Sequence, residues 1–180
     1  MASPTRYVVL LRGVNLGPTN RLSMADLREA LAARGFEDVR THLQSGNVVL
    51  TSAERPAAVV EAVEACLARD LGVEAKVVVR TAEELAAAIE ADPLADVADD
   101  PAKHFIAFLS AAPPQAEVRR LLELDVEPER LAFGRREAYL WCPGGLRAAK
   151  LGRLRFEERL GVTATMRNAR TAGKLLELAG

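Results

Sequence analysis

Residues 80–85 read RTAEEL and residues 170–175 read RTAGKL, so the pattern Arg-Thr-Ala-x-x-Leu occurs twice at a separation of 90 residues. Both copies join a β-like run to an amphipathic helix, and the separation is half of the 180-residue chain. A repeat of about 90 residues is too long for a solenoid and has the size of a small domain. The pattern therefore predicts that one supersecondary unit is used twice.

The first half alternates strand and helix patterns in the order βαββαβ. Ser23 and Asp26 form a capping-box pattern at the start of a helix that Gly35 ends. Gly46 closes a tight hairpin turn, where a positive φ is needed. The predicted elements are strands at 7–12, 39–43, 47–51 and 75–80, and helices at 23–35 and 56–72.

The second half repeats this order. Its predicted elements are strands at 104–109, 130–133, 138–142 and 163–167, helices at 113–122 and 145–160, and trailing helices at 81–91 and 171–179, one for each half. A βαββαβ chain with right-handed crossovers makes a ferredoxin-like sandwich. The predicted fold is therefore α+β, a tandem duplication of a ferredoxin-like βαββαβ unit with trailing helices, with domains at residues 1–92 and 93–180.

Composition and cysteine usage indicate a compact protein of the cytoplasm. The chain is 49% hydrophobic with a net charge of −1, and the apolar run at 7–11 is too short to span a membrane. Cys66 and Cys142 form neither a disulfide framework nor a metal pair, and His42 and His104 lack ligand spacing. We therefore expect no membrane partner, no metal and no cofactor. The oligomeric state is left open.

A first group of polar residues follows the first strand and occupies the hairpin turn. In a βαββαβ sandwich these two connections leave the same edge of the sheet, so their side chains should lie close together. Donor groups and glycines in such a place suit an anionic or amide-bearing ligand. The same residue types also populate turns for conformational reasons, so structural turns are an equal alternative. The group consists of Arg12, Asn15, Asn20, Gln44, Ser45 and Asn47.

A second group lies at the C-terminal copy of the repeat. Thr81 and Glu84 form a capping box, whereas the matching Thr171 and Lys174 put a cation at the positive end of a helix. A bound phosphate or carboxylate would turn that repulsion into an attraction. A lysine exposed to water is the alternative. The residues of this predicted anion site are Arg167, Asn168, Thr171 and Lys174.

Two further functions compete with anion binding. Residues 146–174 contain eight basic and two acidic residues, and the predicted helix at 145–160 carries much of that charge. Tyr139 and Trp141, with Phe108, would stack bases if their strand face were open, so RNA or single-stranded nucleic acid is an alternative partner. An enzyme with an unrecognised acid–base pair is the third hypothesis. Ser45 lies in a turn rather than in a nucleophile elbow, and His42 is expected to be a strand residue, so the sequence does not favour these two as its nucleophile and base.

Four segments together resemble a known family. They are LLRGVNLG at 10–17, Met24-x-x-Leu27, QSGNVV at 44–49 and Thr165-x-Arg167-Asn168-x-x-Thr171-x-x-Lys174-Leu175. This combination resembles the bacterial domain of unknown function 1697 family over nearly the whole chain. The resemblance implies two ferredoxin-like units and brings no established catalytic residues. The chain departs from the family pattern at His42, Ala169 and Pro18-Thr19, where tyrosine, tryptophan and Gly-Lys are expected.

The sequence thus predicts a protein that binds a small anionic ligand such as a nucleotide, a phosphorylated metabolite or a carboxylate. The two polar groups would form two walls, and whether they share one pocket is not fixed by the strand topology.

Overall fold

Two four-stranded antiparallel sheets and six α-helices make up the computed structural model, which describes residues 3–180. The first half contains β1 Thr5–Leu11, α1 Met24–Ala33, β2 Glu37–His42, β3 Asn47–Ser52, α2 Pro56–Asp70, β4 Val77–Thr81 and α3 Ala82–Glu90. The second contains β5 His104–Leu109, α4 Gln115–Leu122, β6 Arg130–Phe133, β7 Glu137–Trp141, a 3-10 turn Leu151–Arg153, α5 Phe156–Leu160, β8 Ala164–Asn168 and α6 Ala169–Ala179. The mixed α+β architecture is confirmed.

The two sheets have the same internal order. The first runs β2-β3-β1-β4 and the second runs β6-β7-β5-β8, with every neighbouring pair antiparallel. The first strand of each half, β1 or β5, lies inside its sheet. On one side it pairs with the second strand of the hairpin, β3 or β7, and on the other with the last strand of the half, β4 or β8. Identical element and strand orders in the two halves are consistent with a duplicated unit.

The described residues divide into two compact units. One comprises the chain up to Leu85 together with Leu175–Gly180, and the other comprises Ala86–Lys174. Each trailing helix therefore begins in one unit and ends in the other. In the first unit the carbonyl of Leu178, near the end of α6, accepts a 3.3 Å hydrogen bond from the guanidinium of Arg6.

The core of the first unit lies between its sheet and the helices α1 and α2. Val9 and Leu11 of β1 pack with Leu27 of α1 and Val63 of α2, and none of these side chains is more than 1% exposed. Apolar residues at helical spacing on α1 and α2 supply one buried stripe each. Ser23 caps α1, because its side-chain oxygen accepts from the backbone N–H of Asp26 at 3.3 Å.

The core of the second unit is built in the same way. Leu109 of β5 and Leu140 of β7 pack with Leu121 of α4 and Leu160 of α5.

The start of α3 has the predicted capping box. Thr81 N donates to Glu84 Oε2 at 3.0 Å, and Glu84 N donates to Thr81 Oγ1 at 3.1 Å.

The predicted helix over residues 145–160 is wrong. A 3-10 turn and the short helix α5 occupy this stretch instead. The buried carboxylate of Glu129 accepts from the backbone N–H groups of Lys150 and Leu151, both at 2.8 Å. A continuous helix would direct those two N–H groups to carbonyls one turn back. The basic residues of this segment therefore do not share one helical face.

The sequence repeat at 80–85 and 170–175 is also out of register with the structure. Val8 and Ile106 are equivalent, because each lies three residues before the end of the central strand of its sheet. Val8 pairs with Arg80, whereas Ile106 pairs with Arg167 and not with Arg170. The equivalent residues are thus 87 positions apart, three fewer than the sequence match. The predicted start of the last helix at Thr171 is wrong, because α6 begins at Ala169 and Asn168 Oδ1 accepts from Thr171 N at 2.8 Å.

Candidate functional site

A hollow of about 520 Å³ opens in the first unit, between the loop after β1 and the segment that joins α2 to β4. We call it the Arg12 hollow. Its polar lining consists of Arg12, Gly13, Asn20, Glu64, Glu74 and Lys76, and alanines complete it. Two members of the first predicted group, Arg12 and Asn20, therefore line one open cavity.

The position of Arg12 follows from strand pairing. Leu11, the last residue of β1, lies opposite Val77, the first residue of β4. One residue farther on, the backbone N–H of Arg12 donates to the carbonyl of Lys76 at 2.9 Å. The two basic residues thus lie on adjacent backbone segments at the rim of the hollow, and both are exposed.

The hairpin turn is fastened to the base of the same loop. Leu11 N donates to Gly46 O at 2.8 Å. Gly46 has φ +78°, and a Cβ at this position would lie 2.6 Å from both Leu11 Cβ and Val14 Cγ2. Only glycine fits such a close approach with this backbone. The loop after β1 and the hairpin turn therefore meet at one edge, as the topology predicts.

Asn15 holds the loop together with its side-chain amide. Its Nδ2 donates to Leu22 O at 2.9 Å and to Gln44 O at 2.7 Å, and its Oδ1 accepts from Leu22 N at 2.8 Å. Asn15 and Asn20 both have positive φ, 55° and 53°, a conformation that asparagine tolerates well. For Asn15 the structural alternative describes these contacts better than a ligand contact does.

The remaining members of the first group lie in the hairpin. Asn47 is fully buried, and its Nδ2 donates to His42 O at 2.8 Å and to Ser45 Oγ at 3.0 Å. This amide fixes the turn from inside. Ser45 is half-buried and Gln44 is exposed at the tip of the turn. None of these three lines the Arg12 hollow.

An ion pair spans part of the hollow. Lys76 Nζ lies 3.0 Å from Glu64 Oε2, and Glu64 Oε1 accepts from Val77 N at 3.2 Å. Both carboxylate oxygens of Glu64 are therefore engaged at the start of β4. Glu74 is exposed on the segment that precedes β4. The lining thus combines two basic and two acidic side chains.

Two side chains of the second predicted group, Arg167 and Asn168, make hydrogen bonds to other residues of the protein. Arg167 is 8% exposed, its Nη1 donates to Thr165 Oγ1 and to Met166 O, both at 2.8 Å, and burial lowers the pKa of its guanidinium to about 10. Asn168 caps α6 through Thr171 N. Lys174 is exposed but is the sixth residue of α6, beyond its first turn. The electrostatic mismatch inferred at the helix start is therefore wrong, because the dipole acts mainly within the first turn.

The comparisons with known proteins now identify the family. The model of the family described as protein of unknown function DUF1697 matches residues 5–139, three quarters of the chain. The chain belongs to the DUF1697 family. Among solved structures, a conserved bacterial protein from Streptococcus pneumoniae is similar with a TM-score of 0.80 and 27% identity, covering 99% of this chain and 100% of the other. No curated protein matches.

A second hollow of about 840 Å³ in this DUF1697 protein holds none of the predicted site residues. It lies beside the start of α2, and its lining includes the apolar residues Phe36, Ala58 and Ala62 and the charged residues Arg34 and Glu37. Arg34 Nε lies 2.5 Å from Asp70 Oδ2, and this contact raises the pKa of the guanidinium and lowers that of the carboxyl.

The two cysteine thiols and the His104 imidazole are buried. Burial raises the pKa of Cys66 and of Cys142 to about 11, which favours the unreactive thiol. His104 Nε2 lies 2.9 Å from Asp92 Oδ2, and both side chains are 6% exposed. Burial lowers the pKa of His104, although the Asp92 charge opposes this. Over residues 3–180 no cluster of three or more His, Cys, Asp or Glu side chains could hold a metal ion.

The aromatic face invoked for base stacking is closed at two of its three members. Tyr139 is 1% exposed and Phe108 is fully buried, and Tyr139 OH donates to Ala88 O at 2.7 Å. Bases cannot reach these two rings in this arrangement. Among the described helices none is long and apolar enough to cross a membrane.

Sequence reasoning missed three charged members of the hollow: Glu64, Glu74 and Lys76. A usable signal exists for Lys76. Because β1 and β4 run antiparallel, the residue that follows the first strand must lie beside the residue that precedes the fourth. Glu64 and Glu74 carry no comparable signal, since surface carboxylates on helices and turns are common.

Proposed function

We propose that the protein binds a small ligand with an anionic group at the Arg12 hollow. The observation that carries this proposal is the grouping of Arg12, Asn20 and Gly13 on one open cavity of about 520 Å³. Small-molecule sites typically have volumes of about 300–1,000 Å³. A guanidinium can bind a carboxylate or phosphate with two parallel hydrogen bonds, and an amide adds a further donor. Nucleotides, phosphorylated metabolites and carboxylates are ligands of this kind.

The scaffold we propose for this site is a duplicated ferredoxin-like unit. The βαββαβ element order and the sheet order β2-β3-β1-β4 support it for the first half, and the equivalent orders support it for the second. In such a scaffold rigid strands hold the loop after β1 and the start of β4, which both contribute to the hollow. We further propose a cytoplasmic location, as expected from the cysteine usage.

The other site and functions stay predictions. Lys174 with Arg167, Asn168 and Thr171 is a predicted second anion site, now without the argument from the helix dipole. Contact with RNA or single-stranded nucleic acid and an unrecognised enzymatic activity also stay predictions. The burial of Tyr139 and Phe108 gives the stacking mode less support than anion binding has.

Thermal stability in the presence of anions tests the proposal. A ligand at ten times its Kd stabilises the folded state by about 1.4 kcal/mol, which raises the Tm of a protein of this size by about 3–6 °C. Inorganic phosphate, AMP and citrate at constant ionic strength are suitable probes. Arg12→Gln should abolish the rise, whereas Arg21→Gln, which removes the same charge from the same loop outside the lining, should retain it. No rise with any probe, or equal loss in both variants, would contradict the proposal.

A further inference from the structure

The Arg12 hollow has balanced charge, because its lining has as many acidic as basic residues. Its lining holds Arg12 and Lys76 on the basic side and Glu64 and Glu74 on the acidic side. The ion pair at 3.0 Å between Lys76 and Glu64 neutralises one charge of each sign. Arg12 and Glu74 are the other two charged residues that line the hollow.

Glu74 differs from Glu64 in its contacts. Glu64 uses one carboxylate oxygen for Lys76 and the other for the backbone N–H of Val77. Over residues 3–180 the Glu74 carboxylate makes no hydrogen bond or ion pair in the structure, and its side chain is exposed. The carboxylate is therefore available to a ligand that reaches the hollow.

Arg12 and Glu74 enter the hollow from separate backbone segments. Arg12 belongs to the loop after β1, and Glu74 belongs to the segment between α2 and β4. The bond from Arg12 N to Lys76 O at 2.9 Å holds these segments together, two residues beyond Glu74. A ligand with a single negative charge would be attracted by one of these groups and repelled by the other. A ligand with both charges would be attracted by both.

We propose that the ligand of the Arg12 hollow is zwitterionic, with a carboxylate or phosphate that binds Arg12 and Asn20 and a cationic amine that binds Glu74. This inference rests on the proposed function, since it assumes that the anionic group binds at Arg12. Solvent-exposed ion pairs of this kind change an affinity by about two- to fivefold. The amine therefore tunes selectivity among ligands that Arg12 already attracts.

Two matched pairs of small molecules test the inference. Butyrate and 4-aminobutyrate differ in a terminal amine, as do ethyl phosphate and 2-aminoethyl phosphate. Dissociation constants from NMR titrations at constant ionic strength should be about two- to fivefold lower for the amine of at least one pair. Glu74→Gln should remove this preference. Glu61→Gln, an exposed carboxylate of α2 outside the lining, should retain it.

The outcomes separate the inference from the function on which it rests. If no probe binds in a way that Arg12→Gln weakens, the proposed function is wrong and the inference is wrong with it. If butyrate or ethyl phosphate binds through Arg12 but neither amine binds more tightly, the inference alone is wrong. An amine preference that persists in Glu74→Gln would also overturn it. Unfolding curves of the Glu74→Gln and Glu61→Gln proteins verify that both variants fold.

Discussion

Gly46→Ala should destabilise the protein by far more than a change of one methyl group at a surface turn suggests. The backbone at Gly46 has φ +78°, and an alanine there costs about 1–2 kcal/mol. Its Cβ would also lie 2.6 Å from Leu11 Cβ and from Val14 Cγ2, and overpacking of this kind costs about 1–3 kcal/mol. The reduced freedom of the unfolded chain returns about 0.4–1 kcal/mol. The expected net loss is about 1–4.5 kcal/mol.

Gly72→Ala is the matched control for this prediction. Gly72 also has a positive φ of +65°, but a Cβ added there would meet no atom within 4 Å. Its cost should contain only the backbone contribution, so urea unfolding should give a Gly46→Ala free energy of unfolding about 1–3 kcal/mol below that of Gly72→Ala. Equal values for the two variants would refute the close approach of the hairpin turn to the loop after β1.

Three further predictions concern single side chains. Asn15→Ala should lower the free energy of unfolding by about 1.5–4.5 kcal/mol, because three hydrogen bonds to backbone are lost; a loss below about 0.5 kcal/mol in urea unfolding would contradict this role. Asn168→Ala should cost about 0.5–2 kcal/mol by removing the α6 cap, and Thr171→Ala should cost less, so the reverse order would disprove the cap assignment. Because burial lowers the pKa of His104 from its ordinary 6.5, the unfolded chain binds a proton more readily, and stability should fall as the pH drops below that value. His104→Gln should flatten this part of the profile of urea midpoint against pH, and an unchanged slope would exclude His104 as its source.

Much of the fold follows from local pattern. The apolar runs at β5 and β6 predict both strands with their exact bounds, since charged or glycine-containing segments flank them. The α3 capping box is likewise readable, because both of its partners lie within one helical turn. Where one residue's partner is distant, pattern fails. Apolar spacing over 145–160 favours a helix. In the structure two backbone N–H groups of this segment donate instead to the carboxylate of Glu129, about twenty residues earlier in the chain.

Part of the candidate site was predictable from the order of the strands. Strand topology correctly gathers the loop after β1 and the hairpin turn, and it places Arg12 at the end of its strand. Composition cannot separate an amide that binds a ligand from one that holds a loop, so Asn15 and Asn47 look like donors in the sequence but bind backbone in the structure. The sequence match also aligned Arg80 with Arg170, whereas the strand pairing makes Arg80 equivalent to Arg167, three residues earlier.

The central claim is that Arg12 anchors an anionic ligand in the hollow beside β4. The most direct measurement is a ¹H–¹⁵N NMR titration with inorganic phosphate at constant ionic strength, in the unmodified protein and in Arg12→Gln. The largest shifts should appear at the backbone amides of Gly13, Asn20 and Lys76, and they should be absent in Arg12→Gln. Shifts of equal size in both proteins, or shifts confined to residues outside the hollow, would contradict the claim.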